Sequence, residues 1–380
     1  MELSHYIYNT NNQLYHSVLD RYLPNDENIL HNNFALKGQE YDALTTRLFS
    51  TPTVLQLVII PTWECNLRCS HCSVIHRLKK IDNNEIDISG LLRFISSYCD
   101  RYKITSISAT LLGGEALLRV DKCNEIIDGI ITISALHGFK CNLDLTTNLA
   151  ISMTADIMRL LSKLDAFTVS LDGVESQHNQ QRRSNKLDNP YKATLENLRI
   201  LVDAGMRKRI RIQAALNGPL DVEARKDYFR QLLRIGILPH NIVYGCVHPT
   251  NNNPVPSASF IKSIQSTKLR RRPCCEFRYM SYFLVDGRNE LHTNYFNDAE
   301  PLGSYDTDFG IIEGKYKQRI LETMPLLQDP QCLSCPVIGF CWGGCINKQV
   351  MGKPSLCCGK KNIQITVNNM ALHGTLCAIR

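Results

Sequence analysis

Cys65, Cys69 and Cys72 fall within eight residues of one another, in Pro61-Thr-Trp-Glu-Cys-Asn-Leu-Arg-Cys-Ser-His-Cys, just after the apolar run Val54–Ile60. Soft thiolates at this C-x3-C-x2-C spacing suit three irons of a 4Fe-4S cube, which ordinarily takes four cysteines. Three protein ligands leave one iron open to bind and cleave another molecule. That open position is the first chemistry the sequence offers.

A second cysteine group follows far downstream, as Cys332-x2-Cys335-x5-Cys341-x3-Cys345 and then Cys357-Cys358. Read on spacing alone, it suits zinc as well as iron–sulfur, since zinc also takes paired cysteines. The chain holds 16 cysteines, and the N-terminus Met-Glu-Leu-Ser-His-Tyr lacks the basic and apolar segments of an export signal. In a reducing cytoplasm such clusters predict metal ligands rather than disulfides. Cys99, Cys123, Cys141 and Cys377 stand alone and read as small buried hydrophobes without function.

Positioning the triad falls to the alternating pattern from Thr53 to about His248. Strands are expected at Val54–Ile60, Ile104–Leu112, Cys141–Thr147, Phe167–Leu171, Arg209–Leu216 and Ile242–Val247. Helices are expected between them, at Ile86–Tyr102, Lys122–His137, Thr154–Leu164, Tyr191–Ala204 and Val222–Ile235, with Gly138, Gly205 and Gly236 ending three of them. Six βα repeats predict an α/β fold with a parallel sheet, open or closed into a partial (β/α)6 TIM-type barrel. Active sites of such folds gather at the C-terminal ends of the strands. The triad follows the first strand, Gly113-Gly-Glu115 the second, Thr147-Asn148 the third and Asp172-Gly173 the fourth. Outside this region, residues 1–50 suggest a hairpin (His5–Tyr8 with Leu14–Leu19) and a helix near Tyr41–Leu48. Residues 249–272 read as a Pro/Asn/Ser-rich linker, and 273–380 as a separate cysteine-rich α+β domain.

Composition is that of a globular protein, 44% hydrophobic and 21% charged over 380 residues, without the roughly 20-residue apolar run that spans a bilayer. The expected location is cytoplasmic, with no membrane association. The net charge of +7 counts cysteine as neutral, so thiolates bound to iron would lower it. A basic run at Lys268-Leu-Arg-Arg-Arg272 lacks aromatic interleaving, so no nucleic-acid partner is expected.

Cys65-x3-Cys69-x2-Cys72 together with Gly113-Gly-Glu115 resembles the radical S-adenosylmethionine (SAM) enzymes, over roughly residues 53–248. The resemblance implies SAM chelated at the open iron and cleaved to a 5′-deoxyadenosyl radical, with the electron coming from a donor such as flavodoxin or ferredoxin. It implies that Gly113 and Gly114 let backbone approach the ligand and that Glu115 accepts from the methionyl amine. The segment Val169-Ser-Leu-Asp-Gly173 followed by Arg182-Arg183 resembles the family's ribose and carboxylate contacts, so Ser170 would bond a SAM oxygen, Arg183 would pair with the SAM carboxylate, and Asn148 is a weaker contact. His71 stands where the family often has an aromatic residue and is expected to pack rather than ligate.

The downstream spacing is similar to the SPASM extension, which usually carries two auxiliary 4Fe-4S clusters. By that resemblance Cys332, Cys335, Cys341 and one of Cys357 or Cys358 hold a distal cluster, while Cys345 crosses to a proximal one. The family's proximal element is C-x9–15-G-x4-C. Here Cys275 or Cys274 and Gly287 fit, but the last position is His292, so a His-ligated, an open or a missing cluster all remain open. The resemblance points to oxidative modification, such as cross-linking, of a ribosomally made precursor peptide. The sulfatase branch has Asp after that last cysteine, where this chain has Thr293, and so ranks lower. A dehydrogenase of a small sugar or aminoglycoside and a non-catalytic metal-binding scaffold are the remaining alternatives. No residue is singled out as a proton or hydrogen shuttle. Residues 1–50 are too short for the winged-helix module that reads leader peptides in related maturases, which leaves room for a separate leader-binding protein.

Overall fold

Strands and helices alternate along most of the chain because apolar side chains recur at the two periods that bury one face of each. The computed structural model describes residues 7–10, 13–16, 21–23, 46, 49–72, 85–216, 222–238, 241–246, 279–293 and 300–323. Numbered along the chain, the strands of the main sheet are β4 (Val54–Ile59), β6 (Ser106–Leu111), β7 (Lys140–Thr147), β8 (Ala166–Ser170), β10 (Ile210–Leu216), β11 (Ile242–Cys246) and β12 (Tyr282–Val285). Short strands β5 (Arg68–Cys69) and β9 (Arg182–Arg183) lie outside it. The helices are α1 (Ile88–Tyr102), α2 (Val120–His137), α3 (Ala155–Lys163), α4 (Glu175–Gln181), α5 (Pro190–Asp203) and α6 (Val222–Arg234).

The main sheet runs β11-β10-β8-β7-β6-β4-β12 with every pairing parallel, as six βα repeats require. The expected α/β partial barrel is therefore present, and each of the six expected strands lies within two residues of its predicted bounds at either end. The seventh, β12, comes from the stretch assigned to the C-terminal domain and pairs with β4, Tyr282 opposite Gln56. It is short, and Leu284, Val285 and Phe283 are all buried, so no alternation marks it as a strand.

Local chemistry sets the helix ends. Asp87 caps α1 by accepting from the Gly90 N–H, Thr154 caps α3, and Asn189 caps α5 with Pro190 in the first turn. Gly138 closes α2 at φ 71°, a left-handed conformation that glycine adopts without steric cost. The core lies between helices and sheet: Leu55, Leu57, Ile59, Ile107, Ala109 and Leu111 are buried in alternation along β4 and β6. Phe94 of α1 meets Phe283 of β12 edge-on with centroids 5.4 Å apart, which ties the seventh strand to the helical layer. Cys99 and Cys123 are fully buried and Cys141 is half-buried, in accord with structural roles.

Two compact units divide the chain, one of Pro52–Gln265 with Ser281–Thr307 and the other of Met1–Thr51, Ser266–Met280 and Asp308–Arg380. In the second unit β1 (Ile7–Thr10), β2 (Gln13–His16) and β3 (Arg21–Leu23) form an antiparallel sheet. β1 and β2 pair as a hairpin two residues later at its first strand than the His5–Tyr8 expected, with β3 added beyond them, while part of the expected Leu14–Leu19 strand and most of the helix expected near Tyr41–Leu48 lie outside the described residues. Helix α7 (Phe309–Thr323) of the same unit buries Ile312, Tyr316 and Ile320 at four-residue spacing. Among the described residues no helix is long and apolar enough to cross a membrane.

Candidate active site

Four loops leave the C-terminal ends of β4, β6, β7 and β8, and they converge on one cavity of about 200 Å³. Its lining includes Cys65, Cys69, Cys72, Gly113, Gly114, Thr147, Asn148, Ser170 and Arg182. The three thiols share this cavity, although no group of three or more His, Cys, Asp or Glu among the described residues converges on one ion-sized point. Burial pushes the Cys65 thiol up to about 12 and raises Cys69 as well. A bound iron cation reverses that preference, since a coordinating thiol is deprotonated outright.

The cysteine loop is held from several sides. Gly113 has φ 135°, and a Cβ there would run into the carbonyl oxygen of Thr62. A Cβ on Gly114 would strike the carbonyls of Trp63 and Glu64. The Gly114 and Glu115 N–H groups donate to Thr62 O at 3.1 Å and Glu64 O at 2.7 Å. The paired glycines therefore permit close approach to the backbone entering the cysteine loop, in addition to lining the cavity. Trp63 Nε1 donates to Asp286 Oδ2 at 3.0 Å, anchoring the same loop beside β12.

Glu115 is buried and joins the second and third loops. Its carboxylate accepts from the Asn148 N–H at 2.7 Å, the Thr147 hydroxyl at 2.8 Å and the Leu117 N–H at 3.2 Å. These donors occupy three of its roughly four acceptor positions. Burial raises its pKa, against the pull of those donors. Asn148 reaches back from there: its amide donates to Asn66 Oδ1 at 2.9 Å and stands 3.9 Å from Cys65 Sγ. Asn66 donates in turn to Ala150 O at 2.6 Å. From α5, Asn197 donates to Leu149 O and Ile151 O at 2.8 and 2.7 Å, fixing the turn in which Leu149 takes a positive φ of 55°.

Opposite them, β5 and β9 pair antiparallel, placing Cys69 across from Arg182. Arg182 donates through Nε and Nη2 to Asp172 at 2.6 and 3.2 Å, and its Nη1 lies 3.8 Å from Cys69 Sγ. Burial would raise the Asp172 carboxyl, but the Arg182 guanidinium outweighs it and holds the group below the usual carboxylate range. His71 lines the cavity with Nε2 3.9 Å from Asp172 Oδ2. Arg183, by contrast, is exposed, donates to Gln180 O at 3.3 Å and does not line the cavity.

His292 sits elsewhere. Its backbone bridges Leu284 of β12, and its buried ring places Nε2 2.9 Å from Glu290 Oε2. It is not part of the cysteine cavity. Cys274, Cys275, Cys332, Cys335, Cys341, Cys345, Cys357, Cys358 and Cys377 lie outside the described residues.

Several positions that build the site were not singled out from the sequence. Asn66, Thr147's hydroxyl role, Arg182, Trp63 and Asp286 act through contacts remote in the chain. Asp172 follows the fourth strand in the Asp172-Gly173 loop visible in the sequence, whereas its pairing with Arg182 appears only in the fold.

No family model and no curated protein matches the sequence. Solved structures do. Native anSMEcpe with bound AdoMet superposes at TM-score 0.62 with 15% identity, over 85% of this chain and 99% of that one. Native anSMEcpe with bound AdoMet and Cp18Cys peptide also gives 0.62 at 15% identity, over 86% and 100%. Streptococcus suis SuiB bound to precursor peptide SuiA gives 0.54 at 13% identity, over 93% and 97%. At these identities the likeness establishes the fold alone, an α/β partial barrel built on one parallel sheet.

Proposed function

We propose that the chain is a radical SAM enzyme that modifies a peptide. The observation carrying this reading is the meeting of Cys65, Cys69 and Cys72 with Gly113, Gly114, Asn148 and Ser170 around one cavity at the C-terminal rim. Structures of the same fold that hold AdoMet and peptides support it further. When bound, a 4Fe-4S cluster at the three thiols supplies the electron that cleaves SAM to a 5′-deoxyadenosyl radical.

The chain's own residues bind and orient. Gly113 and Gly114 form the cavity wall and, by their close packing on Thr62–Glu64, fix the first cysteine in place. Glu115 aligns the loop after β7 by accepting from Thr147 and Asn148, and keeps one acceptor position for a cationic amine. Ser170 offers a hydroxyl to a SAM oxygen. Arg182 is the arginine of the Arg182-Arg183 pair that lines the cavity, so an anionic group of the ligand meets it before Arg183.

The downstream cysteines would hold auxiliary clusters that take up the surplus electron, and an external flavodoxin or ferredoxin would supply the first one. At His292, Glu290 occupies Nε2, so ligation by this ring would fall to Nδ1. A carboxylate on the second ring nitrogen is the usual companion of a ligating histidine. The substrate on this reading is a ribosomally made precursor peptide that undergoes cross-linking or a related oxidation. Co-expression with short peptides encoded beside the gene tests it by mass spectrometry. A peptide lighter by two hydrogen atoms is expected, lost with Cys65→Ala. Unmodified peptides together with a modified sugar would contradict it.

A further inference from the structure

A buried ion pair stands against one of the three thiols, and cluster binding alone does not require it. Arg182 faces Cys69 across the β5–β9 ladder. Asp172 grips its Nε and Nη2 at 2.6 and 3.2 Å, which leaves Nη1 directed to Cys69 Sγ at 3.8 Å. Asp172 is fully buried and is fixed from behind by the Ala215 N–H at 2.8 Å. An arginine is not deprotonated in a protein, so a permanent cation is clamped in one orientation beside this sulfur. Buried ion pairs contribute weakly to stability compared with apolar packing, so stability alone gives little reason for one here.

We propose that Arg182, clamped by Asp172, is a positioning residue that sets the reduction potential of the cluster held through Cys69. This rests on reading Cys65, Cys69 and Cys72 as cluster ligands. The oxidised cluster gains one electron from an external low-potential donor of the flavodoxin or ferredoxin class, and no proton moves. The cluster becomes more negative by one charge. A hydrogen bond to a ligand sulfur and a nearby fixed cation both favour that reduced form, and they are recognised levers on cluster potential. Asp172 meets Nε and Nη2 rather than Nη1, so the cation faces the sulfur and the carboxylate stands behind it.

The two members of the pair therefore act in opposite directions. Arg182→Met makes the cluster harder to reduce, Asp172→Asn makes it easier, and Arg182→Lys restores part of the loss. The measurement is a redox titration of the reconstituted full chain, followed by electron paramagnetic resonance. It is read on the signal that changes when SAM is added, which separates this cluster from any auxiliary one. At the unsubstituted protein's midpoint, Arg182→Met should lower the reduced-to-oxidised ratio about tenfold, or ~59 mV for one electron. Asp172→Asn should raise it. If Arg182→Met fails to retain its cluster, the upward shift in Asp172→Asn decides. Midpoints that do not move in the variants that load overturn the proposal. An unsubstituted chain that takes up no iron and sulfide, and shows no SAM-responsive signal, overturns the cluster reading itself.

Discussion

His178 is a histidine whose environment holds it far from its ordinary state although it does not line the cavity. It is fully buried, its Nδ1 accepts the Asp172 N–H at 3.1 Å, and its protonated Nε2 finds no acceptor among the described residues. Burial pushes its pKa down from 6.5 to about 4, against the pull of Asp172; Arg182 and His71 add to the lowering. The unfolded chain binds the proton first as pH falls, so stability is present above pH 6.5 and lost down to about 4. The full shift corresponds to ~3 kcal/mol, at about 1.4 kcal/mol for each unit of pH. Denaturation of wild type and His178→Gln across this window checks it. The stability of the glutamine variant relative to wild type should rise as pH falls, and a pH-independent difference would contradict the account. From the sequence, His178 was one histidine in a polar stretch. Its burial depends on Tyr191 of α5, which packs edge-on at 5.6 Å and lies 13 positions further along.

Among the elements, the loop after β6 shows best how backbone packing supports chemistry. Gly114 leaves no room for a Cβ beside the carbonyls of Trp63 and Glu64, whereas a Cβ on Gly138 meets nothing within 4 Å. Gly114→Ala should displace the cysteine loop and reduce iron loading several-fold. Gly138→Ala should cost about 1 kcal/mol of stability through its left-handed φ and leave loading unchanged. Equal loading in the two variants would show that the loop does not depend on this contact. The rim loops were legible in the sequence because each follows a strand with a clear two-residue period and carries an unusual motif. The β5–β9 ladder, α4 and β12 were not. Two-residue strands have no periodicity, α4 is a single polar stretch of seven residues, and β12 is buried on both faces. Arg182 was passed over for its neighbour because the pairing that turns it towards Cys69 joins positions 113 residues apart.

At the scale of the whole molecule, one parallel sheet gathers residues from four separate loops into a single cavity. Local patterning predicted that gathering, since the C-terminal ends of parallel strands share one rim. The contribution of 281–307 to the same compact unit as the barrel was not readable, because a strand added at the sheet edge is recognised only by its partner β4. The cysteine cavity therefore sits within a unit that also contains Asp286, the anchor of Trp63. The central claim is that Cys65, Cys69 and Cys72 together support reductive cleavage of SAM. It is tested most directly by quantifying 5′-deoxyadenosine after reconstituted full-length protein is reduced and given SAM. The account predicts formation by the unsubstituted chain and loss in each of Cys65→Ala, Cys69→Ala and Cys72→Ala. An iron- and sulfide-loaded chain that forms none, or variants that form as much as the parent, would contradict it.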